Sequence, residues 1–225
     1  GKPVVLLLFT GRPLDLTWES ANVPAILNVW FGGSETGDAV ADVLFGKVSP
    51  SGKLTTTFPR SVGQMPLYYS QMATGRPDGD PNTFNRYASN YIDCPNDGLY
   101  PFGFGLSYTT FEYGEMKLSS ETMPKGGTIN VTVPVKNTGN CDAAETVQLY
   151  IRDKYADIAR PVKELKGFSR IFLKKGESRD VTFTISSDEL KYYNADLVYK
   201  YDAGEFEVMV GPNSRDVQVQ TFVAE

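Results

Sequence analysis

Glu35 stands where a carboxylate can do chemistry. It lies in "SETGDAVADVLFG" (residues 34–46), directly after the apolar run "AILNVW" (residues 25–30) and the pair Gly32–Gly33. The carboxyl end of a buried strand is where open α/β sheets bind ligands, and a carboxylate there can accept hydrogen bonds from hydroxyl groups. A second reading stands beside it: a carboxylate in the first helical turn that only complements the helix dipole. Trp30, at the end of the same run, offers either a flat face to a ring-shaped ligand or one more core side chain. Arg86, with Tyr87, Tyr91 and Asp93, forms a mixed cationic, aromatic and acidic set that can line a cleft or pin its own loop. Asp38 and Asp42 read as solvated helix faces, and Trp18 reads as core.

The residues that are missing narrow the chemistry. The chain has no histidine, which removes Ser-His-Asp and Cys-His catalysis and most zinc sites. "GGSETG" fails the spacing of a nucleophile elbow and has no base to serve it. Cys94 and Cys141 lie far apart in sequence and read as two separate thiols. The composition calls for no cofactor and no metal. With 22 basic against 27 acidic residues the net charge is −5, which argues against nucleic acid as a partner. The longest apolar run, "VVLLLF", is far short of the roughly 20 residues that span a bilayer, so no membrane role is expected. No charged leader with a cleavage site is visible, and the chain opens on Gly, which fits a mature or excised piece.

Three regions of different periodicity must position these residues. Residues 1–58 read as an α/β fragment. "VVLLLF" and "AILNVW" are continuous apolar runs, the pattern of parallel strands buried on both faces. Ser34 is the expected N-cap of the helix that follows, and Gly46 its stop. Residues 59–105 carry little periodicity and are broken by Pro59, Pro66, Pro77, Pro81, Pro95 and Pro101. They also carry Tyr68, Tyr69, Phe84, Tyr87, Tyr91 and Tyr100, and a disordered segment is poor in such rings. An ordered loop packed on another surface is the expectation. Its end, "LYPFGFGLSYTTFEY" (residues 99–113), places six rings in fifteen positions around Gly103 and Gly105. It reads as an inter-domain joint whose rings pack on both sides.

Residues 106–225 read as all-β. "TINVTVPVKNTG", "ETVQLYIRD", "RDVTFTIS" and "EFEVMVG" alternate apolar and polar residues. "ELKGFSRIFL", "VQVQTFV" and a short lead-in at residues 116–118 bring the count to about seven strands. That pattern predicts a two-sheet sandwich of immunoglobulin or fibronectin III type. The Cys–Trp–Cys pattern of antibody domains is missing, so the fibronectin-like form is preferred.

Several long motifs occur in one order: "GKPVVLLLFTGRPLDL", "AILNVWFGGSETGDAVADVLFGKVSPSGKLTTTFPRSVGQMPLYY", "LYPFGFGLSYTTFEY", "VKNTGNCDAAETVQLYIRD" and "RPVKELKGF". Together they resemble the C-terminal part of a glycoside hydrolase family 3 enzyme of the β-glucosidase or β-xylosidase kind. The resemblance implies the end of an α/β sandwich domain followed by a fibronectin type III-like domain. It also implies a retaining enzyme that hydrolyses terminal non-reducing β-D-glucosyl residues with two carboxylates, an Asp nucleophile on an N-terminal barrel and a Glu acid/base. Neither carboxylate matches a position here, so no catalytic residue is assigned and the chain alone is expected to be inactive. The implied partner is an oligosaccharide or β-glucoside, bound with the barrel, and the implied compartment is periplasmic or secreted. In such an enzyme Glu35 would hydrogen-bond sugar hydroxyls or orient the acid/base, Trp30 would stack on a pyranose, and Arg86 would stand at the cleft rim. A non-catalytic carbohydrate-binding or spacer module, and a β-xylosidase of the same family, are the alternatives.

Overall fold

The computed structural model describes residues 1–76 and 85–225; Pro77, Pro81 and Phe84 of the loop lie outside them. The first unit holds β1 (Val5–Leu8), α1 (Thr17–Asn22), β2 (Ala25–Asn28) and α2 (Thr36–Leu44). The second holds β3 (Phe111–Tyr113), β4 (Lys117–Leu118), β5 (Thr122–Met123), β6 (Thr128–Asn137), β7 (Ala143–Asp153), β8 (Glu164–Leu173), β9 (Ser178–Ser186), α3 (Ser187–Leu190), β10 (Tyr192–Tyr193), β11 (Tyr199–Lys200), β12 (Gly204–Gly211) and β13 (Gln218–Ala224).

β1 and β2 pair in parallel, Val5 opposite Ala25 through Leu8 opposite Asn28. Burial on both faces does not follow. Val4, Val5 and Phe9 are exposed, because two short helices cannot cover both faces of a parallel pair. Trp18 corrects a second expectation. It lies on α1, which buries none of its residues within this chain, and is 67% exposed, while Leu16 before the helix is buried. α2 begins one residue later than its sequence suggests. Glu35 occupies the cap position without a side-chain cap bond, and Ser34 caps nothing. The Thr36 hydroxyl instead donates to the Gly33 carbonyl at 2.6 Å. Gly46 ends the helix at φ +73°, a conformation that only glycine adopts without strain.

The sandwich places β5-β13-β12-β7-β8 in one sheet. In the other, β6 pairs β9 along one edge and the short β3 and β4 along the other. Alternation decides which side chains meet. Ile129, Val131, Val133 and Val135 of β6 are fully buried against Val147, Leu149 and Ile151 of β7 and Phe206, Val208 and Val210 of β12. Each such side chain contributes about 1.5–3 kcal/mol of burial. Phe206 and Phe222 stack at 5.6 Å to close one end of this core. β8 carries a bulge opposite Leu149 and Tyr150, where the register steps from Gly167 to Leu165.

β7 is buried on its outer face as well, and the loop is the cause. The Tyr69 ring stacks on Phe102 at 4.2 Å and meets Tyr150 of β7 edge-on at 5.8 Å. Gln148 donates to the Gly103 carbonyl at 3.1 Å and to that of Pro212 at 2.6 Å. The loop is tied to the first unit too. Leu54 donates to Phe104 and Gly103 to Leu54, while Phe58 donates to Tyr100 and Leu99 to Phe58, all through backbone groups. Tyr108 Oη donates to the Val43 carbonyl at 2.7 Å, and Tyr113 Oη donates to Glu145 at 3.0 Å. The rings of residues 100–113 therefore reach both units. Cys94 and Cys141 are free thiols.

Candidate functional site at the carboxyl end of the parallel pair

The carboxyl ends of β1 and β2 hold one group of polar and aromatic side chains. Val29 donates its backbone N–H to Leu8, which carries the parallel pairing one step past the strands. Thr10 Oγ1 donates to Asn28 Oδ1 at 3.2 Å. That leaves Asn28 Nδ2 buried with no partner. A buried amide nitrogen without a bond costs about 1–3 kcal/mol, so such a group marks a place where a ligand atom would be welcome.

Trp30 follows at φ +56°, in the left-handed region that a bulky residue rarely enters. This turns its ring onto Phe58, 5.9 Å between centroids, and Phe58 meets Tyr100 edge-on. Trp30 is half-buried, with Phe58 as its ring partner. Phe31 is exposed and lies across Gly11, where a Cβ would approach the Phe31 ring to 2.8 Å. Gly33 has φ +74°, and a Cβ at Gly32 would lie 2.0 Å from Thr36 Oγ1, so the turn that presents Glu35 needs both glycines. Glu35 itself is exposed, and among the described residues its carboxylate makes no hydrogen bond or ion pair.

Trp30 and Glu35 thus share one strand end, as their spacing suggests. Asn28 belongs with them and was not singled out from sequence. Its only signal there is a polar residue inside an otherwise apolar run.

Arg86 is placed elsewhere. It is exposed, its guanidinium lies 5.8 Å from the Tyr87 ring centre, and no contact among the described residues joins it to Trp30 or Glu35. Its neighbours pin the loop. Tyr91 donates its backbone N–H to Asn96 Oδ1 at 2.8 Å and its hydroxyl to the Gln64 carbonyl at 3.4 Å. Gln64 is buried and donates to the Pro95 carbonyl at 2.8 Å. Asp97 accepts from Arg60 of the same loop at 3.1 Å and from Arg215 of the sandwich at 2.8 Å, which ties the loop to the sandwich. Burial, then the neighbouring Asp93 charge, pushes the Cys94 thiol up, so it is a poor nucleophile at neutral pH. Among the described residues no group of His, Cys, Asp and Glu could hold a metal ion.

Comparison with known proteins agrees with this architecture. Residues 1–108 match the model of the glycosyl hydrolase family 3 C-terminal domain, and residues 145–214 match a fibronectin type III-like domain. The chain is 49% identical over 222 residues to a periplasmic beta-glucosidase of Salmonella typhimurium, covering 99% of this chain and 29% of that protein. It is 45% identical to a beta-xylosidase of Formosa agariphila, over 98% of this chain and 30% of that one. The crystal structure of a beta-glucosidase from Listeria innocua in complex with glucose superposes with a TM-score of 0.92 at 42% identity, over 100% of this chain and 31% of that chain. The chain therefore spans about three tenths of the length of these relatives.

Proposed function

The chain belongs to glycosyl hydrolase family 3, and from that premise we propose that it serves as the C-terminal portion of a retaining β-glycosidase acting on terminal non-reducing β-D-glucosyl residues. The observation that carries the reading is likeness along the whole chain to beta-glucosidases, in sequence and in fold together. In this reading residues 1–58 end the α/β sandwich domain, 59–105 form an ordered joint and 106–225 form the fibronectin type III-like domain. The chemistry resides in carboxylates outside this chain. Its own part is to bind and orient. Trp30 stacks on a pyranose, Glu35 accepts hydrogen bonds from sugar hydroxyls, Asn28 Nδ2 donates one, and Arg86 stands on the rim. The sandwich and the loop hold that strand end in place.

The test is hydrolysis of an aryl β-glucoside. The 225-residue chain alone gives no turnover, while a polypeptide that adds the family's barrel gives turnover; robust hydrolysis by the chain alone overturns the reading. A second reading, a β-xylosidase, is favoured by the 45% identity to a protein of that name. An aryl β-xyloside assayed in parallel separates the two. No helix among the described residues is long and apolar enough to cross a membrane. One relative is named periplasmic, which supports a periplasmic or secreted compartment.

A further inference from the structure

The hairpin β10–β11 presents a second aromatic surface, at one end of the sandwich. Tyr193 and Tyr199 are cross-strand partners, so they project from the same face, while Tyr192 of the other pair is buried. The two rings lie 4.8 Å apart, tilted by 37°, and are 62% and 52% exposed. Among the described residues neither phenol hydroxyl bonds to the protein. The turn that carries them is fixed. Asn194 Oδ1 accepts from the backbone of Asp196 and Val198, and Leu197 is held at φ +61°. A neighbouring loop adds Tyr155, 71% exposed, and is tied to the hairpin by Lys200–Asp157 at 2.7 Å and by Asp157 N–H to Tyr192 Oη at 3.1 Å.

Two features select the ligand class. The rings are rigid, amphipathic and already in place, which makes exposed tyrosines efficient contact groups. The charges beside them are already matched: Lys191, whose Nζ lies 5.9 Å from the Tyr199 ring centre, pairs with Asp188 at 2.6 Å, Lys200 with Asp157 and Asp202, and Lys154, 5.7 Å from the Tyr155 ring centre, with Glu205. With these lysines neutralised and Asp196 exposed at the tip, the surface does not attract an anion. Neutral polyhydroxylated chains fit it. The C–H face of a pyranose is apolar and covers a ring, while its rim hydroxyls reach the free phenols.

We propose that the outer face of the β10–β11 hairpin, with Tyr193 and Tyr199 as its platform, is a contact site for a neutral β-linked glucan chain, distinct from the strand end that carries Trp30 and Glu35. It takes from the glycosidase reading only the choice of a β-linked probe. The test is affinity electrophoresis of the 225-residue chain in native gels cast with soluble mixed-linkage β-glucan, and with alginate as the anionic comparison. β-Glucan retards the chain and alginate does not. Tyr193→Ala/Tyr199→Ala binds about tenfold more weakly or less, and Tyr193→Phe/Tyr199→Phe falls between. The single variant Tyr193→Ser, with a thermal melt on each protein, separates loss of the platform from loss of the fold. No retardation of the parent by β-glucan, equal retardation of parent and double alanine variant, or equal retardation by alginate overturns the proposal. The readout needs no turnover, so it is independent of whether the longer protein cleaves a β-glucoside.

Discussion

Lys53 Nζ lies 3.1 Å from Glu145 Oε1, with the two side chains only 11% and 5% exposed. Lys53 follows α2 in the first unit and Glu145 stands near the start of β7, so this buried ion pair joins the two units. Its remaining bonds are supplied locally: Lys53 donates to the Gly105 carbonyl at 3.0 Å, and Tyr113 Oη donates to Glu145. Burial, reinforced by the Glu145 charge, pushes the Tyr113 phenol well above its ordinary range, so it stays a donor. Removing one partner strands the other charge. Lys53→Met is expected to cost about 3–5 kcal/mol, while Lys53→Met/Glu145→Leu recovers most of that loss. Urea denaturation of the three proteins checks it. A single variant as stable as the parent would show that solvent reaches the pair.

Gly103 and Gly176 share nearly the same backbone, φ +79° and +78°, but not the same surroundings. A Cβ at Gly176 meets open space, whereas one at Gly103 would lie 2.0 Å from Gln148 Oε1. Gly176→Ala should cost only the left-handed strain, about 1–2 kcal/mol. Gly103→Ala adds the displacement of Gln148 from the Gly103 and Pro212 carbonyls, about 0.5–1.5 kcal/mol for each bond. Comparing the two denaturation midpoints reads the joint directly. Equal losses would mean that Gln148 swings aside freely.

These two contacts also mark where the sequence was legible. Strict alternation in β6 names its core side chains, because period two and one-sided burial are the same fact seen twice. β7 alternates through Val147, Leu149 and Ile151, yet Gln148 and Tyr150 between them are buried too. Nothing local distinguishes a face open to water from one covered by a loop that lies 45 or more residues upstream in the chain. Trp18 and Leu16 are equally apolar in a list, and only the packing decides which of them is buried. At the strand end, the glycine pair before Glu35 was readable as a turn. Asn28 and the left-handed Trp30 were not, because an unpaired amide and a positive φ are properties of the assembled backbone.

Glu35 makes no bond within the fold among the described residues, so its removal should leave stability alone. Under the proposed glycosidase function, in a polypeptide that adds the family's barrel, Glu35→Gln is expected to lower kcat/KM for an aryl β-glucoside about tenfold or more while Tm stays unchanged, the loss of a hydrogen bond to a charged group. Glu35→Asp should recover part of the activity. Unaltered kinetics would return Glu35 to a purely dipolar role.

Trp30 combines a strained backbone with a packed ring, and the two can be separated. Trp30→Phe keeps a ring against Phe58 and should stay near parental stability. Trp30→Gly relieves φ +56°, so it should be more stable than Trp30→Ala by about 1 kcal/mol although both lose the ring. Under the proposed function, in a polypeptide that adds the family's barrel, both small variants should raise KM more than they lower kcat. If Ala and Gly are equally stable, the backbone at this position relaxes once the ring is gone.

Asp153, at the end of β7, gives the fold a pH dependence whose sign follows from its burial. Burial pushes its carboxyl above the ordinary carboxylate range; the Tyr155 N–H and the Arg160 charge oppose this, and Asp202 and Glu164 add to it. One of its oxygens, Oδ2, is buried without a partner. The folded protein thus holds this proton to a higher pH than the unfolded chain does. The associated stability is present at low pH and is lost as pH rises from about 4, the unfolded value, through the raised folded value. Asp153→Asn removes the ionisation while keeping an oxygen to accept from Tyr155. It should therefore raise the urea midpoint relative to the parent at pH 7, with the difference shrinking as pH falls to 3. A variant less stable than the parent at pH 7 would mean that attraction to Arg160 outweighs the cost of burying the charge.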